Sequence, residues 1–336
     1  MPTLREVKNR IRSVRNIAQI TRALEAVSAS RVRRAQARVF ASRAYAEKAW
    51  EILINIQAAS KNLPLHPLLT ERDEVNRVMV VVITSDRGLA GAYNANILRV
   101  AQGFETRLGK PVDYVAVGRK GRDSLVRLGA NIVASFTDMP AEPTLSDIRP
   151  IARIAMDAYL DGEVDEVLIA YTDFINMLAQ RPAVLGWLPL TTHTIAKQVA
   201  ADYVKDVAAV SGGIQNYDYE PNAEAVVDEI VPRFTELQLY QALLEAQASE
   251  HAARMAAMRN ATDNATQLTG DLTLQYNKAR QAAITAEILD IVGGANALQQ
   301  AIDNSAQVIL DASDDRPQSL NGVNGRGSTA IQMRSN

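Results

Sequence analysis

Between Thr3 and Asn62 there is no glycine, and no proline interrupts the chain from Pro2 to Pro64. Apolar residues fall at Leu4, Val7, Ile11, Val14, Ile17, Ile20, Leu24 and Val27. Steps of three and four residues are helical, with a seam close to a heptad. Thr3 and Glu6 form a capping box at its start. At the rise of an α-helix this segment is about 80–90 Å long. A small globular domain cannot hide such a helix, which must lie along a second long helix or project into a partner. A matching block closes the chain. It starts near Pro221 or Pro232 and runs to at least Leu298, with Gly270, Gly293 and Gly294 the only glycines between Pro232 and Leu298. Apolar residues recur at Leu237, Tyr240, Leu244 and Ala248, at Met255 and Met258, and at Ile284, Ile288, Ile291, Ala295 and Leu298. The pattern predicts a second helix on the order of 100 Å, persisting to about Leu310. The stretch Asp311–Asn336 is polar, aperiodic and rich in Gly and Asn, and reads as a disordered tail.

The pattern changes between these blocks. "RVMVVVITS" (Arg77–Ser85), "PVDYVAVG" (Pro111–Gly118), "ANIVASFT" (Ala130–Thr137) and "DEVLIAYT" (Asp165–Thr172) read as buried strands. Helical stretches at Asn94–Leu108, Lys120–Leu128 and Leu145–Leu160 separate them. Strand alternating with helix implies a largely parallel sheet with helices packed on it. Phe174–Leu190 reads as a later strand pair or a strand with a turn, and Ala196–Gly213 is assigned to no element. The expected fold class is therefore α/β with a long coiled coil. An antiparallel pair of terminal helices carries an inserted α/β domain. The expected divisions are an N-terminal helix at 1–62, an α/β domain at 75–219, a C-terminal helix at 221–310 and a tail at 311–336.

Composition removes several classes of function. With no cysteine, disulfides, thiol catalysis and cysteine-ligated metals are excluded. His66, His193 and His251 are too widely separated to suggest a metal cluster, and no metal or cofactor is expected. No apolar run approaches the roughly 20 residues of a membrane span. The N-terminus has no apolar signal core. It is Arg-rich, as transit peptides are, but its pattern continues unbroken and reads as mature structure. A net charge of −2 argues against a general nucleic-acid binder.

"VITSDRGLAGAYNANIL", Val82–Leu98, has the look of a phosphate-binding loop, in which a β-branched run enters a glycine-bearing turn. It nevertheless lacks the Gly-Lys-Ser/Thr of a Walker A loop, and Gly88-x-x-Gly91 is not the dinucleotide fingerprint. A tight strand-to-helix turn, with glycines supplying positive φ or close packing, explains the residues better. Ser85, Asp86 and Arg87 are then expected to bond neighbouring backbone or a partner.

The first 48 residues hold 12 Lys/Arg against 3 Asp/Glu, with "SRVRRAQAR" (Ser30–Arg38) the densest run. A solvated face is the ordinary reading of such a run, though one-signed charge along a helix also suits acidic surroundings. No aromatic stripe supports single-strand stacking. His251 reads as packing or solvent-facing. Glu245, Glu250, Asp263 and Glu287 are scattered carboxylates with no evident acid/base pairing.

"LREVKNRIRSVRNIAQITRALEAVSASRVRRAQ", "SDRGLAGAYN", "SEHAARMAAMRNATDNA" and "YNKARQAAITAEILDIVGGANAL" together, in this order, resemble the gamma subunit of rotary ATP synthases. The resemblance covers about residues 3–298. It implies a non-catalytic rotor shaft in a proton-translocating ATP synthase, with the terminal helices inside a hexamer of alternating alpha and beta subunits. The α/β domain would sit against the epsilon subunit and the c-subunit ring. Rotation of the ring would cycle the beta-subunit catalytic sites, and ATP hydrolysis would drive proton pumping in reverse. The resemblance assigns beta-subunit contacts to Arg31, Arg33, Arg34, Gln281, Thr285 and Glu287, and a lever region to Leu24 and Ala26. Ser85, Asp86, Arg87, Gly88 and Gly91 become a turn that shapes the stalk domain. Ala282, Ala283, Ala286, Gly293 and Gly294 supply a small, low-friction bearing surface. No nucleic acid is an expected partner, and membrane association is expected to be indirect, on the cytoplasmic side of a bacterial plasma membrane.

The chain departs from the family in places. Leu24 and Ala26 stand where many relatives carry Met, and Ala90 where many carry Cys. Relatives usually stop near Leu298, so the tip of this chain would emerge from, or lie within, the top of the hexamer, and the continuation suggests an extension that reaches the hexamer's outer face. Two other classes of function are open to test: a coiled-coil nucleic-acid scaffold, which a salt-sensitive mobility shift would favour, and a nucleotide-dependent enzyme, which saturable ATP binding to the isolated chain would favour.

Overall fold

The structure, a computed structural model, describes the backbone of residues 3–59, 66–190 and 223–314, and the side chains of 3–41, 66–190 and 225–309. Ala196–Gly213 and the tail beyond Asp314 lie outside the described residues. Two compact units divide the chain, one holding Arg12–Thr269 and the other Met1–Ile11 with the residues from Gly270 onward.

Helix α1 spans Leu4–Ala59. Its capping box forms as the sequence predicts: the Thr3 N–H donates to Glu6 Oε2 at 2.9 Å, and the Glu6 N–H to Thr3 Oγ1 at 3.3 Å. The seam differs from the expected one. Ile17, Ile20 and Val27 are 50%, 59% and 50% exposed. A continuous run of covered positions is instead Leu4, Val7, Ile11, Val14, Ala18, Thr21, Glu25, Ser28, Val32, Ala35 and Val39, each buried or half-buried. These steps alternate strictly between three and four. The heptad is therefore regular and runs through small and polar residues that a search for apolar bulk passes over. Thr21 Oγ1 donates to the Ile17 carbonyl at 3.1 Å and Ser28 Oγ to the Leu24 carbonyl at 2.7 Å, so each hydroxyl is satisfied within its own helix.

The inserted domain contains β1 (Val78–Ile83), α2 (Tyr93–Leu108), β2 (Val112–Val117), α3 (Arg119–Arg127), β3 (Asn131–Phe136), α4 (Leu145–Leu160), β4 (Glu166–Phe174) and β5 (Gln180–Leu188). Every strand and helix expected here is present, though β3 alternates between exposed and half-buried positions and is not the buried strand expected. Phe174–Leu190 resolves into the end of β4, a turn in which Asn176 Oδ1 accepts two backbone N–H groups, and β5. The strand order is β3-β2-β1-β4-β5, parallel except for the β4–β5 hairpin. β1 and β2 are buried along their whole length, as central parallel strands covered on both faces must be.

Helix α5 spans Ala223–Asp314 and passes through Pro232, so of the two expected starts the helix matches the one near Pro221. An interior proline costs about 3 kcal/mol. Burial of Val231 and Phe234, at 0% and 2% exposure, offsets that cost. One face of the sheet packs on α4 and on α5 from Val231 to Ala246, and the other packs on α2. Trp187 is fully buried, and its Nε1–H donates to the Thr235 carbonyl of α5 at 3.2 Å.

The two long helices meet antiparallel within residues 12–269. Val32, Ala35 and Val39 of α1 pack with Leu244, Ala248 and Ala252 of α5. Farther along, the Thr21 and Thr262 hydroxyls pair at 2.7 Å in a buried contact. Residue number rises in one helix as it falls in the other. Within this unit α5 also buries Gln238, whose Nε2 and Oε1 have no hydrogen-bond partner. An unsatisfied buried amide costs about 1–3 kcal/mol. Gln238→Leu is therefore expected to stabilise the chain by about 1 kcal/mol, read as a higher urea midpoint at unchanged slope. A lower midpoint would show the amide to be satisfied in solution.

Candidate functional site

The glycine turn follows β1. Gly91 has φ of 58°, which favours glycine, and a Cβ there would lie 3.6 Å from Ala257 of α5. Gly88 has no such need; Leu89 carries the other positive φ, 64°. The turn's polar groups are engaged within the protein. Asn94 Oδ1 accepts the Ser85 N–H at 3.0 Å, and Ser85 Oγ donates to the Arg87 carbonyl at 2.6 Å. Asp86 Oδ1 accepts the Arg119 N–H at 2.9 Å, and the Ser85 carbonyl accepts the Lys120 N–H at 3.0 Å. The Gly88 carbonyl accepts from Arg254 Nε and Nη2 at 3.4 and 3.3 Å. Arg254 also pairs with Glu250 at 2.6 Å, where both side chains are largely buried.

Two further bonds join the same elements. The Tyr93 hydroxyl donates to the Ala246 carbonyl at 3.0 Å, and Ser249 Oγ to the Thr172 carbonyl at 3.0 Å. The turn thus clamps the sheet onto α5. Sequence reasoning found the turn but missed its partners Arg254, Tyr93 and Asn94. The four-residue step from Glu250 to Arg254 in an Ala-rich helix was the available signal.

A cavity of about 360 Å³ opens at the carboxyl ends of β1 and β2, lined in part by Arg31, Asp86, Arg87, Glu250 and His251. Arg31 is thereby brought beside the turn. Arg33 and Arg34 are exposed on the same helix, Leu24 is half-buried and Ala26 exposed. Arg38 pairs with Glu142, ahead of α4.

Burial, together with Arg254, Arg31 and Arg34, pushes the His251 imidazole down to about 4. Burial raises the Glu250 carboxyl, with Arg254 opposing it. A histidine held neutral in the folded state contributes its full stability above pH 6.5, and loses it as pH falls toward 4. Between pH 7 and 5 the chain is expected to lose about 1–2 kcal/mol more than a His251→Gln variant, after discounting for the ring's partial exposure. Urea unfolding at both pH values measures this, and parallel losses in the two proteins would contradict it.

In the unit that includes the distal part of α5, every side chain from Asn277 to Ile309 is exposed. Gln281, Thr285 and Glu287 lie in this stretch. Thr285 Oγ1 donates to the Gln281 carbonyl at 2.9 Å, which places those two on one helix face. Ile284, Ile288, Ile291 and Leu298 are 50%, 55%, 67% and 64% exposed. Among the described residues no group of acidic or histidine side chains has metal-binding geometry, and no helix is long and apolar enough to cross a membrane.

A long helical pair carrying a mostly parallel sheet domain, with one helix exposing apolar side chains on several sides, defines a helical subunit built to work inside an assembly. The family model described as ATP synthase matches residues 3–298. The ATP synthase gamma chain of Roseiflexus sp. (strain RS-1) is 45% identical over 304 residues, covering 89% of this chain and 100% of the relative. That of Chloroflexus aurantiacus is 46% identical over 302 residues, covering 89% and 99%. In fold, the chain is similar to one in the Euglena gracilis mitochondrial ATP synthase OSCP/F1/c-ring structure, with TM-score 0.60 and 19% identity over 89% of this chain and 95% of that one. It is also similar to one in the Tetrahymena thermophila mitochondrial ATP synthase central stalk/c-ring structure, with TM-score 0.52 and 24% identity over 72% and 99%. The chain belongs to the ATP synthase gamma-chain family, which supplies the central rotor stalk.

Proposed function

We propose that this chain is the non-catalytic shaft through which rotation and ATP chemistry are coupled. The observation that carries the proposal is the distal part of α5. Residues 277–309 are all exposed and include large apolar side chains on several sides. Left in water they would be a liability; enclosed by a hexamer of alpha and beta subunits they form an apolar bearing. Shaft asymmetry follows from construction, because α1 and α5 present unequal side chains to the surrounding sites. Rotation therefore changes the contacts each beta subunit meets, and differential contact is what shifts a conformational equilibrium.

Arg31, Arg33 and Arg34 provide a basic segment for acidic loops of the beta subunits, while Gln281, Thr285 and Glu287 provide polar catches. The sheet domain engages the epsilon subunit and the c-ring. The turn at Ser85–Gly91 fixes that domain to α5, so that torque entering the domain reaches the helix. Support for this comes from the bonds joining Arg254, Tyr93 and Ser249 to neighbouring elements. Through these partners the chain is held at the cytoplasmic face of a bacterial plasma membrane.

The test attaches a bead through a single cysteine at Gly103, where a Cβ meets nothing within 4 Å, in a complex with alpha and beta subunits fixed to a surface. Added ATP should turn the bead in one direction. Active hydrolysis with a stationary bead would overturn the reading.

A further inference from the structure

The apolar stripe of distal α5 does not stop where the family match stops. The match ends at Leu298, whereas the helix continues to Asp314. Ile284, Ile288, Ile291, Ala295 and Leu298 are followed at the same alternating steps of four and three by Ile302, Ser305 and Ile309. Ile302 and Ile309 are 53% and 70% exposed. Ser305 Oγ donates to the Ala301 carbonyl at 2.7 Å, so the one hydroxyl on the stripe is satisfied within the helix. Asp303 accepts from Gln299 Nε2 at 3.0 Å, which ties the nearest charge to its own helix. No residue between Asp290 and Asp303 is charged.

We propose that residues 299–309 extend the bearing and run inside the same alpha/beta sleeve as residues 284–298. This rests on the shaft reading above. Two features favour a sleeve over a second copy of the chain. The stripe continues in register with the proposed bearing, with no break or charge at Leu298. Apolar side chains also lie off the stripe: Leu289 and Val308 are 65% and 67% exposed on other sides of the helix. One partner helix covers one seam, whereas an enclosing sleeve covers all sides.

The chain has no cysteine, so one introduced thiol is unique within it. Ala286→Cys, Ile302→Cys and Ile309→Cys variants are labelled with a maleimide, as the free chain and in complex with alpha and beta subunits, and the label is read on this chain after separation. Assembly should slow labelling at all three positions by about tenfold or more, since a covered thiol reacts only through local opening. If Ala286→Cys is protected while Ile302→Cys and Ile309→Cys react at the free rate, the extension lies outside the sleeve and the proposal falls alone. If Ala286→Cys also reacts at the free rate, the shaft reading falls with it. Protection of Ile302→Cys and Ile309→Cys in the free chain that rises with its concentration would assign the stripe to a second copy, which also overturns the proposal.

Discussion

Gly118→Ala is expected to destabilise the sheet domain by about 2–6 kcal/mol, one of the larger losses a single methyl group can cause. Gly118 has φ of 98°, where an L-residue is strained, and its added Cβ would overlap the Thr84 carbonyl oxygen and lie 2.7 Å from Thr84 Oγ1. Strain of that kind costs about 1–3 kcal/mol, and overpacking about 1–3 more. The backbone has little room to relax. The Gly118 N–H donates to the Phe136 carbonyl at 2.7 Å, and the Thr84 N–H to the Val117 carbonyl at 2.8 Å. Thr84 Oγ1 donates to the Val117 carbonyl at 3.1 Å and accepts the Gly121 N–H at 2.8 Å. Any shift that frees the methyl group breaks this interlock between the ends of β1 and β2. Urea unfolding measures the loss; a change below about 1 kcal/mol, the size of an ordinary substitution, would contradict the geometry.

The second large effect concerns assembly. Ile288 and Ile291 are 55% and 67% exposed in the free chain. The double change Ile288→Asp with Ile291→Asp should therefore leave the free chain's stability within about 0.5 kcal/mol. Inside an apolar sleeve two unpaired carboxylates cost several kcal/mol. A loss of about 4 kcal/mol corresponds to about a thousandfold in affinity. Recovery of the chain with alpha and beta subunits should collapse while its own unfolding curve is unchanged. Undiminished recovery would show that this face of α5 is not enclosed.

These expectations separate what the sequence makes legible from what it does not. The long helices, the strand–helix alternation and the antiparallel pairing were readable, because glycine-free periodic segments and β-branched runs are local signals. The true seam was not. Thr21 and Ser28 occupy buried heptad positions while Ile17, Ile20 and Val27 face outward. Side-chain size and back-bonding decide that placement, and an apolar pattern does not encode them. Pro232 misled for a similar reason, since its cost is offset by contacts with a sheet distant in sequence. In the glycine turn, the residues were visible but their partners were not: Arg254 and Tyr93 act there only because the chain returns on itself. Gly118 was likewise invisible as an interlock, because its constraint comes from Thr84 across two strands. The distal apolar stripe was readable as helical periodicity, and its exposure became evident only once no neighbour was found for it among the described residues.

The native mass of the particle recovered when this chain is co-expressed with alpha and beta subunits tests the shaft reading most directly. The account predicts a single species with three alpha, three beta and one copy of this chain. Recovery of the chain by itself, beside alpha and beta subunits that bind nucleotide but never join it, would contradict it.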